Sequence, residues 1–113
     1  MKQEEHEERS LILFGRKHTE VHEFLDQYFS MFGPYHRIVL HHQLGVQLVV
    51  AKFPGAVRKI AEQHIIDDLG RVPEDWRDGF DFDLDYADYW LSRKTALKKG
   101  ALKAVMKSLY PEE

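Results

Sequence analysis

The chain has 113 residues, of which 43% are hydrophobic and 31% charged, and its net charge is −3 with the histidines neutral. These values predict one folded domain spanning residues 1–113 and exclude an intrinsically disordered chain. A duplex-binding protein would usually be basic, so we do not expect nucleic acid as a partner. No apolar run reaches the roughly 18 residues of a membrane span, and there is no cysteine. We therefore expect a cytoplasmic protein that binds no membrane and has no thiolate site.

Hydrophobic periodicity in the first half of the chain predicts helices. Residues 3–14 form a first helical segment, and its apolar end, 11–14, is expected to dock against the core. A second helix is predicted over about 18–31, because apolar residues recur there at three- and four-residue steps. The third, over about 34–52, is apolar on nearly every side and belongs at the centre of a bundle. Its valine-rich end, 46–50, alternatively suits a short strand.

A fourth helix is predicted over about 56–69, because Gly70 stands where glycine commonly ends a helix. Residues 74–90 are expected to be irregular, since aromatic residues and aspartates alternate from Phe80 to Tyr86 with a strand-like period of two. The last helix, about 93–109, is basic. The predicted fold is thus all-α, a compact bundle of four to five helices with an irregular acidic and aromatic segment before the last.

Four of the seven histidines lie in two short stretches of otherwise apolar sequence. His64 and Asp68 are four residues apart, so they share one face of a helix and can reach one ion. His36, His41 and His42 lie on the most apolar helix, where burying imidazoles costs free energy unless partners stabilise them. On an ideal helix His36 lies about 140° from His41 and about 120° from His42, so at most two of them face one site.

A second helical pair, His22 and Asp26, borders the apolar face of the second helix. Arg37 is a natural clamp for a carboxylate or phosphate, and we assign it to ligand binding together with His41 and Gln63. The remaining candidates are predicted to bind a divalent ion such as zinc, manganese or iron. These predicted metal ligands are His22, Asp26, His36, His42, His64 and Asp68.

Known catalytic and metal-binding motifs are not found in this sequence. His18 and His22 have helical metal-ligand spacing, but the zinc-peptidase pattern needs glutamate where Thr19 stands. The aspartates at 81, 83 and 85 resemble the start of a calcium loop, yet the required glycine and final glutamate are replaced by Tyr86 and Ser92. There is no glycine-rich phosphate loop or nucleophile elbow. No motif therefore fixes a reaction.

Three segments carry a resemblance to a known family. They are HxFLD at 22–26, HRxxLHHxxG at 36–45 and EQHxxDDLGxxP at 62–73. The region 18–78 resembles a family of small bacterial and phage proteins described as a domain of unknown function. The resemblance implies that the histidine positions belong together, and it implies no activity. The basic last helix has no counterpart in it.

Two functions of different classes fit these features. The first is a helical protein whose His/carboxylate site binds a divalent metal and activates water for hydrolysis of a phosphate or amide bond. The alternative is a non-enzymatic binder of an anionic small molecule such as a nucleotide, or of a partner protein, for example a phage-type inhibitor or sequestering protein. A third interpretation is that the histidines only complete hydrogen-bond networks in a structural module.

Overall fold

The structure is a computed structural model that describes residues 1–78 and 83–111. Within these ranges there are helices and no strand, which confirms the all-α class. None of the described helices is long and apolar enough to cross a membrane. The helices are α1 (Gln3–Phe14), α2 (Thr19–Asp26), α3 (Phe29–Phe32), a 3-10 turn (Gly33–Tyr35), α4 (His36–Leu40), α5 (Gln43–Lys52), α6 (Arg58–Leu69), α7 (Leu84–Lys94) and α8 (Ala101–Leu109).

Helix α1 has the predicted bounds but buries an unexpected face. The predicted docking of segment 11–14 is wrong, since its first three residues are exposed and only Phe14 is half-buried. The buried residues are instead His6 and Ser10, which lie four apart on the face that packs against α2 and α6. Polar contacts rather than apolar burial therefore orient this helix.

The predicted helix over 18–31 is divided into α2 and α3. The break follows Asp26, where the Gln27 side-chain amide donates a hydrogen bond to the carbonyl of Phe24 (2.8 Å). Leu25 and Phe32, on either side of the break, are fully buried. Asp26 thus lies at the C-terminal end of a helix, with its carboxylate beside the following elements.

The predicted helix over 34–52 is also broken, at His41 and His42. The backbone of His42 is extended (φ −162°, ψ 178°). Its Nδ1 accepts a hydrogen bond from the N–H of Gly45, so His42 caps the N-terminal end of α5. The strand interpretation of 46–50 is wrong, because this segment is helical. The helix's central position is as expected, since residues such as Ile38 are almost fully buried.

Glycine at position 45 is required by the close approach of α4 to α5. A Cβ atom added there would overlap the carbonyl oxygen of Leu40, and it would also press on the carbonyl carbon at 2.5 Å. Contacts of this length do not occur between non-bonded atoms, and the opposing atoms belong to the backbone. The motif HRxxLHHxxG therefore specifies a tight helix–helix junction.

For the C-terminal third, one prediction is wrong and a second holds only in part, since residues 74–78 are irregular as predicted. The predicted helix over 93–109 is two helices, α7 and α8, joined by a turn in which Asp88 accepts a hydrogen bond from the N–H of Gly100 (2.8 Å). The irregular segment 74–90 is helical from Leu84, because Asp83 caps α7 by accepting from the N–H of Tyr86 (2.7 Å). The alternating residues at 80–82 lie outside the described ranges.

Candidate metal site

Seven ionisable side chains converge between α1, α2, α4 and α6. The five histidines among them are at most 5% exposed, and the two carboxylates lie between the rings. Helices α2 and α6 each contribute two residues spaced by about one turn, and the other three come from α1 and from the two ends of α4. The seven are His6 from α1, His22 and Asp26 from α2, His36 and His41 from α4 and its end, and His64 and Asp68 from α6.

Four of these side chains, here called the quartet, present one ligand atom each to a common point. They are His41, His64, Asp26 and Asp68. His41 Nε2 lies 3.0 Å from Asp68 Oδ2 and 3.4 Å from Asp26 Oδ1. His64 Nε2 lies 3.2 Å from Asp26 Oδ1 and 3.5 Å from Asp68 Oδ2, and the two Nε2 atoms are 3.2 Å apart.

These spacings match the edges of a metal coordination polyhedron. A tetrahedral ion with bonds of 2.0–2.1 Å to nitrogen and oxygen has ligand–ligand edges of about 3.3–3.4 Å. Five of the six edges of the quartet run from 3.0 to 3.5 Å. Two imidazoles and two carboxylates also form a donor set that zinc, manganese and iron accept. The quartet therefore has the chemistry and the dimensions of a divalent-ion site.

His36 supplies an independent indication of a cation. Its Nδ1 lies 2.8 Å from the carbonyl oxygen of Gly33, which only accepts, so Nδ1 carries a proton. In the neutral ring Nε2 then has a lone pair, and this atom faces Asp26 Oδ1 at 3.2 Å. Two acceptors at this distance require a positive group, either a second proton on the ring or a metal ion. Donation by Nδ1 to a backbone carbonyl is also the usual arrangement of a metal-ligating histidine.

A buried hydrogen-bond chain supports the opposite side of His64. Its Nδ1 lies 2.8 Å from His22 Nδ1, and His22 Nε2 lies 2.6 Å from Ser10 Oγ. If His64 Nδ1 donates to His22, then His22 donates in turn to Ser10, and His64 Nε2 keeps its lone pair for the quartet. His22 is thus placed to orient His64 rather than to face the quartet itself.

His6 belongs to this cluster, although our reading of the sequence missed it. Its Nε2 donates to Asp68 Oδ1 (3.1 Å), and its ring stacks on His64 with centroids 3.7 Å apart and planes 17° apart. His6, His22 and His64 lie close enough to be considered as a second metal group. The nitrogen lone pairs of an imidazole lie in the plane of its ring. Because the rings of His6 and His64 are stacked in nearly parallel planes, their lone pairs do not converge on one ion. We therefore assign His6 to holding Asp68 in place.

The signal for His6 was hidden by its neighbours. It lies within a run of four glutamates, at positions 4, 5, 7 and 8, a composition that is typical of a solvated helix. Its spacing of four residues from Ser10 was the available clue, since it predicts a polar stripe on one face of α1.

Burial determines the protonation state of three of the histidines. Burial lowers the pKa of His41 and of His64, and it outweighs their contacts with Asp68 and Asp26, which act in the opposite direction. Burial and the neighbouring His64 lower the pKa of His22 to about 4. These rings are therefore neutral at pH 7.

The two carboxylates are ionised. Burial alone would raise the pKa of Asp26 and of Asp68. Contacts of Asp26 with His36 and His64, and of Asp68 with His41 and His6, outweigh burial and hold both pKa values well below the usual range. Two negative charges beside the neutral rings of His22, His41 and His64 create a potential that favours a divalent cation.

Cationic groups lie at the edge of the cluster. Arg37 NH2 is 3.6 Å from Asp68 Oδ1, and the Met1 amino group is 2.7 Å from the same oxygen. Asp67, which points away from the quartet, pairs with Arg9 (3.4 Å). The two aspartates at the C-terminal end of α6, where the helix dipole disfavours anions, thus each have a positive partner.

An open cleft reaches the quartet from the surface. It has a volume of about 470 Å³, and its walls include Asp26, His36, Arg37 and Asp68 together with Phe29 and residues 1–3. The Asp26 side chain is 20% exposed, whereas those of His41 and His64 are fully buried. An ion in the quartet would therefore be held from the interior and would face the cleft on one side.

Two residues predicted to join the site lie outside it. His42 donates from Nε2 to the carbonyl of Ile38 (2.9 Å) and accepts at Nδ1, so both of its nitrogens serve the backbone. Gln63 donates to Asp67 (2.8 Å) on the same helix. Of the three histidines on the predicted third helix, the structure brings His36 and His41 into the cluster.

Comparison with known proteins identifies the family and no activity. The chain matches the family model described as "Domain of unknown function (DUF6915)" over residues 1–84, which contain all seven residues of the cluster. No curated protein matches the chain, and no solved structure does. The matched region includes α1 and His6, whereas α8 lies beyond it. The protein therefore belongs to this family of unknown function, and the predicted resemblance to such a family is confirmed.

Proposed function

We propose that this protein binds one divalent metal ion in the quartet and that the ion activates water for hydrolysis. The observation that carries the proposal is the set of five ligand–ligand distances of 3.0–3.5 Å between His41, His64, Asp26 and Asp68. His36 lies beside Asp26 at the cleft and can act as a further ligand.

The hydrolytic part of the proposal follows from the open side of the quartet. The four ligands of the quartet fill a tetrahedral shell, so a bound water would take a fifth position on the cleft side, where its pKa would be much lowered. The two buried histidines would hold the ion on its interior side, and the cleft would give a water and a substrate access to its other side. The bond broken belongs to the class of phosphate esters or amides.

Metal binding should also stabilise the fold. The four ligands come from α2, from the end of α4 and from α6, so one ion links three helices that are distant in sequence. An ion bound by the folded chain alone raises its stability by mass action, by about 2.7 kcal/mol at a hundredfold excess over Kd. Melting is therefore a direct measure of binding.

The test uses protein purified without a histidine tag. We expect about one equivalent of zinc, manganese or iron by elemental analysis, and a melting temperature that falls when a chelator removes it. Metal-free protein whose melting is unaffected by chelator, zinc and manganese would contradict the proposal. The histidines would then form a structural network only.

A matched pair of variants assigns the effect to the quartet. Asp68→Asn removes a ligand charge, whereas Asp67→Asn makes the same chemical change at the next residue, which pairs with Arg9 outside the quartet. We expect at least a hundredfold loss of metal affinity in the first and a change within about threefold in the second. Asp26→Asn, at a partly exposed ligand, provides a second test if Asp68→Asn does not fold. Hydrolysis is then assayed by the metal-dependent release of product, which Asp26→Asn should abolish.

A further inference from the structure

The cleft beside the quartet contains an arginine, Arg37, whose Nε has no hydrogen-bond partner among the described residues. Within residues 1–78 and 83–111, Arg37 forms one ion pair, at 3.6 Å from Asp68, a distance too long for a hydrogen bond. Its Nε is buried and has no hydrogen-bond partner in the same ranges. Buried donors are almost always paired, so an unpaired one beside an open cleft indicates a missing acceptor.

Arg37 is also correctly placed relative to the proposed ion. It approaches Oδ1 of Asp68, and the other oxygen of this carboxylate belongs to the quartet. A ligand oxygen bound to the ion and a second oxygen bound by the guanidinium would therefore lie within the span of one small oxyanion. A planar guanidinium is suited to two oxygens of a phosphate, which it binds through two parallel hydrogen bonds.

The other wall of the cleft is aromatic. Phe29 lines it, is 58% exposed, and packs edge-on against the ring of His36 with centroids 5.3 Å apart. This contact fixes the ring of Phe29 while leaving a face open, so it can pack against a flat organic group. A volume of about 470 Å³ is within the range of small-molecule sites.

We infer that the cleft binds a phosphate monoester of nucleotide size. Its phosphate bridges the metal ion and Arg37, and its ring lies against Phe29. The inference rests on the proposed function, because it needs the ion as one of the two phosphate partners. It adds the class of ligand and two residues that recognise it.

The experiment uses the full chain loaded with Mn²⁺ and adenosine 5′-monophosphate as the probe. Paramagnetic Mn²⁺ strongly broadens the ³¹P resonance of a phosphate bound to it, so a titration gives the affinity and reports contact with the ion. We expect broadening that saturates with the loaded protein and that excess adenosine, which lacks the phosphate, does not reverse by competition.

Variants separate the residues that recognise the ligand from the metal site. Arg37→Ala should weaken binding of the monophosphate at least tenfold, and Arg37→Lys should weaken it less, since it keeps the charge and loses the planar fork. Arg58→Ala removes the same charge from an exposed position at the N-terminal end of α6, whereas Asp68 lies at its C-terminal end, and should have no effect on binding. Phe29→Ala should weaken the monophosphate about tenfold and leave inorganic phosphate unaffected.

The outcomes distinguish this inference from the proposed function. Mn²⁺ loading without ³¹P broadening, or equal affinities for the wild type and Arg37→Ala, would overturn the inference and leave the metal site standing. Failure of the wild-type protein to load Mn²⁺, zinc or iron would overturn both. Binding of inorganic phosphate and the monophosphate with equal affinity would show that Phe29 has no role and would overturn the assignment to a ring-bearing ligand.

Discussion

His41 and His42 are consecutive and both are fully buried, yet they face opposite sides of the break between α4 and α5. His41 points into the quartet, where its Nε2 contacts two carboxylates and another imidazole, and its Nδ1 has no partner in the described residues. His42 points into the apolar side, bonds the backbone through both nitrogens and packs edge-on against Tyr110. The same side chain is thus suited to chemistry at one position and to architecture at the next.

The difference shows how the chain can hold a polar site inside a small core. The junction that His42 caps turns the chain, so that His41 leaves the apolar face of α4 and reaches the cluster. Gly45 allows the turn because it lets α5 start directly against Leu40. The pair of histidines in the motif therefore consists of His42, which forms the bend, and His41, which the bend directs into the cluster.

The largest expected effect on stability comes from adding a methyl group at Gly45, where α4 and α5 meet. Gly45→Ala should destabilise the protein by about 3 kcal/mol, because the Cβ overlaps backbone atoms of Leu40 that cannot rotate away. Helix propensity alone predicts the opposite sign, a gain of about 1 kcal/mol. Urea unfolding measures the difference, with the exposed Gln47→Ala in the same helix as control. A variant as stable as the wild type would mean that the junction is not this tight.

The second prediction separates the two histidines. His42→Ala should cost about 2 kcal/mol of stability, because it removes the cap of α5 and leaves the carbonyl of Ile38 unpaired. His42→Asn should cost about half as much, since asparagine can still accept from the N–H of Gly45. Unfolding in chelator gives both values. Neither variant should change metal affinity by more than about threefold, whereas His41→Ala should lose it; a large loss in the folded His42→Asn would contradict the division of roles.

Much of the fold followed from local sequence, because helix periodicity and the position of Gly70 are short-range signals. The bounds of α1 and α6 and the all-α class were predicted on that basis. The break at 41–42 was not, since apolar residues on every side of the segment hide the face that changes. An extended residue in such a run is imposed by packing and capping, and the capping histidine is not among the residues usually found at that position.

The cluster was predictable where two of its residues share a helix and unpredictable where helices meet. The pairs His22/Asp26 and His64/Asp68 were found because a spacing of four residues places them on one face. Nothing in local sequence shows that α1 crosses both, which is why His6 was missed. The choice of His41 over His42 depended on the kink, since a straight helix gives no preference between them.

The third prediction concerns the pH dependence of stability that His42 contributes. Burial lowers its pKa from 6.5 to about 4 in the folded protein, although its hydrogen bonds to backbone carbonyls act in the opposite direction. The unfolded state therefore binds a proton near pH 6.5 that the folded state refuses until about pH 4. The contribution of His42 to the free energy of unfolding is fully present above pH 6.5. It falls as the pH drops from 6.5 to about 4, by at most about 1.4 kcal/mol per pH unit.

Comparison with His42→Asn isolates this contribution, because His22 and His41 are also held neutral by burial and add to the total. Urea unfolding at pH 7.5, 6, 5 and 4.5 should show a shallower dependence in the variant, and the two curves should approach each other as the pH falls. Parallel curves would show that His42 takes up its proton equally in both states.

The smallest expected effect on stability comes from Ser10, the last residue of the hydrogen-bond chain that runs from His64 through His22. Ser10→Ala should cost about 1 kcal/mol of stability, because it leaves His22 Nε2 buried without its partner at 2.6 Å. Metal affinity should fall about threefold, less than for a direct outer partner such as His22, since Ser10 acts on His64 only through that ring. The exposed Ser108→Ala on α8 is the matched control. If Ser10→Ala changes stability and leaves metal affinity at the wild-type value, the hydrogen-bond chain orients α1 alone, and the orientation of His64 depends on Asp26 and the stacked ring of His6.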